Sequence, residues 1–326
     1  MLIGLYDADG HNFPNLPLMK ISAYHKAKGD LVEFVTPLLH YDRVYVSRVF
    51  GDEYTDFNDI AFNADEVFYG GTGFAIKVVD GKEVFEKNSD PDLPPEIEHI
   101  YPDYSLYPEL TKDTAYGFLT RGCPNNCGFC IISQKEGRQS RKVADLSEFW
   151  NGQKHIVLLG ANLLACRDRI DLLKQLAQSG AKVDFSQGLD ARFVNDEVCF
   201  WLNKIKIDCV HFAFDLMENT AAIIKGLTLF RKSSALRDRS TIVYILTNYG
   251  TSFYEDWFRV NEVRKIGLMP DIRIYRKSTA PRIVRDLQRW CNNRFIYRSC
   301  DFWDYVPRAD GKKIKDIYTN EYEQCK

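Results

Sequence analysis

The run Gly117-Phe-Leu-Thr-Arg-Gly-Cys-Pro-Asn-Asn-Cys-Gly-Phe-Cys130 constrains this chain more than any other stretch. It sets Cys123, Cys127 and Cys130 at the spacing Cys-x3-Cys-x2-Cys, directly after an apolar, strand-like segment. Three thiolates this close repel one another unless a cation or a cluster holds them together, and a loop of Gly, Pro and Asn can fold its backbone around such a centre. The number of ligands is informative. A structural zinc site closes its tetrahedron with a fourth protein ligand, and an electron-transfer iron–sulfur cluster usually takes four cysteines. A triad leaves one metal position open to a substrate or cofactor.

From Thr114 the chain alternates between apolar strands and amphipathic helices. Strands are expected at 115–120, 155–160, 181–186, 209–214, 241–246 and 271–275, with helices at 144–150, 167–179, 195–205, 218–232, 253–265 and 281–291. Gly180 is a helix stop, Asn195 a helix cap, and Pro281 sits in a first helical turn. Such alternation indicates a parallel sheet covered by helices, whose chemistry collects at the C-terminal ends of the strands.

The cysteine spacing, Phe129 before the last cysteine and the strand leading into the loop resemble the cluster-binding motif of the radical S-adenosylmethionine (radical SAM) superfamily. The six strand–helix units resemble that superfamily's partial (βα)6 TIM-like barrel over residues 114–293. The resemblance implies a [4Fe–4S] cluster on Cys123, Cys127 and Cys130, with the fourth iron chelating the amino and carboxylate groups of SAM. It also implies reductive cleavage of SAM to methionine and a 5′-deoxyadenosyl radical, with electrons from a flavodoxin- or ferredoxin-like donor. Phe129, Gly160 and Asn162 are the implied cofactor contacts near the cluster; the superfamily often has Gly-Gly-Glu where this chain has Gly160-Ala-Asn162. Ser186, Gln187, Asp190 and Arg192 offer groups suited to the ribose hydroxyls and the SAM carboxylate, and Asp215 and Asn248 follow the next strands. Each has a structural alternative: Asp215 as a helix cap, Arg192 paired with an acid, Asn248 in a turn. No residue is assigned as catalytic toward the substrate.

Residues 1–87 read as a small Rossmann-like α/β domain, with strands at 1–6, 31–35, 43–50 and 66–70 and a helix at 16–28. Gly70-Gly-Thr-Gly73 closes the last strand, and Asp9-Gly-His11 echoes the Asp-x-His of cobalamin proteins. The segment resembles the cobalamin-binding-type domain that precedes many radical SAM domains, so cobalamin is a further cofactor to weigh. The likeness is incomplete, because Pro14 stands where the motif has a glycine. Residues 88–113, rich in proline and tyrosine, read as a linker lying against the protein, and 294–326 as an aromatic-rich closing segment.

A chain of 326 residues with 45% hydrophobic and 27% charged content is of the ordinary globular kind. It shows no apolar run of membrane-spanning length and no basic patch followed by an apolar core, so a cytoplasmic protein is expected. Nine cysteines, an odd number mostly scattered, favour metal ligation at the cluster and buried thiols elsewhere. The net charge of −2 conceals an asymmetry: residues 259–313 carry fourteen Lys and Arg against six acids, and residues 1–110 twenty acids against eight bases. The basic C-terminal third leaves nucleic-acid binding open. Competing with SAM cleavage on an unidentified substrate are cobalamin-dependent methyl transfer and a non-catalytic metal-binding protein with a distant fourth cysteine.

Overall fold

The computed structural model describes every residue except 11, 52–54, 56, 58, 59, 80, 81, 91, 235, 237–239 and 326; His11 therefore lies outside the described residues. The chain is a mixed α/β fold that divides into two compact units, Met1–Lys182 and Val183–Lys326. Among the described residues no helix is long and apolar enough to cross a membrane.

The first unit opens with β1 (Leu2–Asp7), β2 (Leu31–Phe34), β3 (Tyr41–Ser47) and β4 (Ala64–Gly70), paired in the order β2-β1-β3-β4 and parallel throughout. The helix Leu16–Ala27 starts where Asn15 accepts from the backbone N–H of Leu18 at 3.3 Å, and it stops before Gly29, whose φ of +84° suits a residue without Cβ. Its Leu18 and Ile21 pack on Ile3 and Leu5 of β1, while Tyr41, Val44 and Val46 of β3 form a second cluster. A hairpin of β5 (Ile76–Val79) and β6 (Lys82–Phe85) follows; alternation did not announce it, because its residues are mostly exposed.

Residues 88–113 are not a bare connection. They hold short helical turns at Pro95–Glu98, Tyr104–Leu106 and Pro108–Thr111, and their tyrosines are hydrogen-bonded. Tyr107 donates to the Asp7 carboxylate at 2.7 Å, Tyr104 donates to the carbonyl of Phe149 at 2.5 Å, and burial raises both phenols above their ordinary range.

A six-stranded sheet runs in the order β14 (Met269–Ile274), β13 (Thr241–Thr247), β12 (Lys206–Ala213), β11 (Lys182–Leu189), β10 (His155–Leu158), β7 (Thr114–Gly117). The first unit contributes β7 (Thr114–Gly117) and β10 (His155–Leu158), paired parallel with Leu158 opposite Gly117. Between them β8 (Thr120–Arg121) and β9 (Arg141–Lys142) form a short antiparallel pair. The helix expected at 144–150 is only a three-residue turn, Leu146–Glu148, with a capping box from Asp145. The Phe149 ring fills the place where a Cβ on Gly117 would stand, 2.3 Å away, so the segment is shaped by packing rather than by helical propensity.

The second unit holds β11 (Lys182–Leu189), β12 (Lys206–Ala213), β13 (Thr241–Thr247) and β14 (Met269–Ile274), with helices Asp196–Leu202, Thr220–Ser233, Phe253–Ile266 and Arg282–Asn292. β12, β13 and β14 are parallel neighbours. Val183 and Phe185, Val210 and Phe212, and Val243 and Ile245 alternate along their strands and are buried. Phe212 meets Phe230 edge-on at 4.8 Å. In the aromatic C-terminal region Trp290 and Phe302 are fully buried and join Trp257 and Trp303, whereas Phe295 is left exposed.

Gly226 marks the tightest contact in this unit, since a Cβ there would lie 1.8 Å from the carbonyl oxygen of Ala191. Gly226→Ala is expected to lower stability by about 1–3 kcal/mol through overpacking, although alanine is intrinsically the better helix former by about 1 kcal/mol. Urea unfolding checks this, and an unchanged or higher midpoint contradicts it.

Candidate metal-binding loop and strand-end residues

The cysteines sit on the excursion between β8 and β9, which the antiparallel pair Thr120↔Lys142 and Arg121↔Arg141 closes at its base. Gly122 turns with φ +85°, and a Cβ there would come within 2.2 Å of the carbonyl oxygen of Gln139, so only glycine lets the two arms approach. Cys123 donates its backbone N–H to Gly137 at 3.2 Å, and Cys130 donates to Cys127 at 3.0 Å. Glu136 locks the arms together. Its carboxylate accepts from the Gly122 N–H at 2.8 Å and from the Arg121 guanidinium at 3.1 Å, while its own carbonyl accepts from Arg141 at 2.6 Å. Lys135-Glu-Gly-Arg138 is thus in part the brace of the loop.

None of the nine cysteines is in a disulfide, and Cys123, Cys127 and Cys130 are all half-buried, as is Phe129. Asn162 is buried and donates through Nδ2 to the Cys123 sulfur at 3.4 Å. It also caps the turn Leu163–Ala165 by accepting from the Ala165 N–H, and its carbonyl accepts from Ser140 at 2.8 Å. Gly160 lies where the chain passes β8: a Cβ would stand 2.6 Å from the Thr120 carbonyl oxygen. Because β7 and β10 run parallel and in register, the cysteine loop and Gly160–Asn162 leave them at the same end. These are the residues that the structure brings together in the first unit.

In the second unit the strand-end residues are met largely by the protein itself. β11 continues to Leu189, so Ser186 and Gln187 lie inside the strand rather than after it, Ser186 half-buried and Gln187 exposed. Asp190 caps the turn Ala191–Phe193 through the Arg192 N–H at 3.1 Å and holds the Arg192 guanidinium at 2.8 and 2.5 Å. Asn248 adopts φ +62° in the turn after β13 and donates to the Tyr275 carbonyl at 2.7 Å. Asp215, after β12, accepts from the Leu246 N–H at 2.9 Å, and burial pushes its carboxyl up to about 6. Beneath it the fully buried Arg259 donates to the carbonyls of Phe214, Asp215 and Leu246 and pairs with Asp256 at 2.5 Å. Sequence reasoning missed Glu136 as a brace and Arg259 as a hub, because their partners are distant in the chain; Arg259 beside a run of buried apolar positions was the one available signal.

The glycine turn after β4 and the Asp9 carboxylate both serve packing. A Cβ at Gly71 would meet the Arg48 carbonyl oxygen at 2.2 Å, and one at Gly73 the Phe50 carbonyl oxygen at 2.2 Å. Asp9 accepts from the N–H groups of Val49 and Phe50 and from the Thr55 hydroxyl at 2.6, 3.2 and 2.8 Å. Several basic side chains of the C-terminal third are paired within their unit, including Arg264 with Asp301, Arg308 with Asp286, and Lys313 and Lys315 with Asp304.

No family model matches the chain. A CDK5RAP1-like protein of Oryza sativa subsp. japonica is 29% identical over 104 residues, covering 29% of this chain and 17% of that protein. The chain therefore spans well under two thirds of this curated relative. Among solved structures, Streptococcus suis SuiB bound to S-adenosylmethionine aligns with a TM-score of 0.37 and 13% identity, over 66% of this chain and 53% of that one.

Two predictions follow from the geometry of these residues. Glu136→Ala strips the acceptor from the Gly122 N–H and from Arg121, at a cost of about 1–3 kcal/mol. Native-state proteolysis should then cleave within 122–140 faster, and an unchanged cleavage rate counts against the brace. Asp215 has a folded-state pKa above its unfolded value, so its contribution to stability is present below about pH 4 and is lost as pH rises through about 6. Asp215→Asn is expected to remove up to about 3 kcal/mol of that pH dependence, and parallel stability–pH curves for the two proteins would refute it.

Proposed function

We propose that this chain is a radical SAM enzyme, with Cys123, Cys127 and Cys130 as the protein ligands of a [4Fe–4S] cluster. The observation that carries the reading is the loop itself. Three thiols, without a histidine or carboxylate among them, project from a glycine-turned excursion braced at its base, and a buried amide donates to one sulfur. Hydrogen bonding to a ligand sulfur is a known lever on a cluster's potential. A mononuclear zinc ion, with bonds of about 2.3 Å to sulfur, would draw its thiolates to within about 4 Å of one another. Among the described residues, three metal-binding side chains converge within 4.8 Å only at a different place, Asp184, Cys209 and His211. Three cysteine ligands suit a cluster, which holds each thiolate on a separate metal atom.

When bound, the cluster supplies the electron that cleaves SAM to methionine and a 5′-deoxyadenosyl radical, with a flavodoxin- or ferredoxin-like protein as the reductant. The chain's own part is to hold and shield. Asn162 orients the Cys123 sulfur and, with Gly160, borders the open metal position; Phe129 offers an apolar wall between two ligands. Ser186, Gln187, Asp190, Arg192, Asp215 and Asn248 are proposed to receive the nucleoside and amino-acid parts of SAM. In this reading residues 114–293 form the partial (βα)6 barrel, residues 1–87 precede it as a small α/β domain, and 88–113 connect them. Cobalamin is not required, since Asp9 and the Gly71–Gly73 turn are occupied by packing.

Anaerobic reconstitution should load about four irons and matching sulfide per chain, and the reduced protein should release 5′-deoxyadenosine from SAM. Changing any one of Cys123, Cys127 or Cys130 to alanine should abolish the release, and Asn162→Ala should slow it at least about tenfold by disturbing the cluster's second shell. Zinc that the three cysteines hold, and that their substitution frees, sinks the reading.

A further inference from the structure

On the sheet of the second unit, Asp184 of β11 and Cys209 and His211 of β12 each bring one ligand atom to within 4.8 Å of the others. Cys209 and His211 share a face because they are two residues apart on one strand, and Asp184 joins them from the neighbouring strand. The ring of His211 is fixed on both counts that matter for coordination. Its Nδ1 lies 3.1 Å from the Phe185 carbonyl oxygen, which can only accept, so Nδ1 carries a proton and Nε2 presents a lone pair. The ring is also stacked on Tyr244 at 4.8 Å and 6°, with Arg273 4.6 Å over the far ring.

The Nε2 atom faces the Cys209 sulfur at 3.4 Å. Tetrahedral coordination with Zn–N of about 2.0 Å and Zn–S of about 2.3 Å asks for a separation of about 3.5 Å between those atoms. Asp184 Oδ1 is buried without any hydrogen-bond donor, a costly arrangement for a carboxyl group that a cation would relieve. Sulfur, imidazole and carboxylate together suit zinc better than a hard cation, and carbonyl-oriented imidazole is the usual second shell of a zinc histidine.

We propose that Asp184, Cys209 and His211 bind a zinc ion, leaving a fourth coordination position to water or another ligand. The site is independent of the cysteine loop and stands whether or not the loop carries a cluster. The second unit therefore has a metal centre of its own, built on strands rather than on a loop.

The test uses the full chain carrying Cys123→Ala, Cys127→Ala and Cys130→Ala together, so that the loop cannot contribute. Purified without chelator, it should retain about one zinc per chain. Cobalt(II) alone, added to the zinc-stripped protein, should give visible ligand-field bands and a thiolate-to-cobalt charge-transfer band. Adding Cys209→Ser should remove that charge-transfer band, and His211→Gln should lower the bound zinc at least about tenfold. As a readout that does not depend on these variants folding, EDTA should lower the thermal midpoint of the triple-alanine protein. Trace zinc only, cobalt bands indifferent to Cys209→Ser, or a midpoint unmoved by EDTA each overturns the proposal and leaves a thiol–imidazole hydrogen bond beside a buried carboxyl group.

Discussion

The cysteine loop depends on a chain of charges that crosses the first unit. Lys20, on the helix Leu16–Ala27, pairs with Glu98 at 3.1 Å; Glu98 pairs with Arg121 at 3.4 Å; Arg121 pairs with Glu136 at 3.1 Å, and Glu136 caps the Gly122 N–H. The side chains are between 7% and 26% exposed, so water screens them only in part. Burial pulls the Lys20 ammonium below its ordinary pKa while Glu98 opposes that shift, which is the signature of a charge held inside by its partner. A second set of contacts reaches the loop from its other side, where Lys135 pairs with Asp90 at 3.1 Å and hydrogen-bonds Thr72, and Asp90 also accepts from the Gly71 N–H. The α/β sheet at the start of the chain and the proline-rich stretch after it therefore act as mechanical support for three thiols.

This explains why some of the molecule could be read from its residues and some could not. Strands and helices whose signals are local came through, among them the αL stop at Gly180 and the Asn195 cap. The cysteine spacing needed no neighbours to be noticed. Misread segments are those decided by distant groups. The stretch 144–150 holds only a three-residue turn where Phe149 packs against Gly117, and β11 runs on past Ser186 to Leu189. The braces of the loop involve separations of 15, 23 and 78 residues, far beyond any periodic pattern.

Strand-end polarity has a cost that bears on how such residues are interpreted. In the second unit the carbonyl groups of Phe214, Asp215 and Leu246 converge on Arg259, whose five-donor guanidinium meets all three and Asp256 as well. Asp256 neutralises that cation from the same helix, and the same carboxylate oxygen accepts from the Thr251 hydroxyl at 2.7 Å. Polar residues at the ends of β12 and β13 thus hold the sheet's edge together whatever else they contact. Burial raises the carboxyls of both Asp215 and Asp256 above their ordinary range.

The two constellations of candidate metal ligands are opposites in mechanics. The thiols of the loop sit half-buried on backbone turned by Gly122 and Gly137, where small dihedral changes can move each sulfur. Asp184, Cys209 and His211 stand on paired strands, with the imidazole clamped between a carbonyl and an aromatic ring, so their separations are set before any ion arrives. A loop that adapts suits a cluster whose protein ligands are all alike. A preset trio of sulfur, nitrogen and oxygen discriminates by geometry instead, and that rigidity favours a single ion of fixed coordination over a polynuclear one.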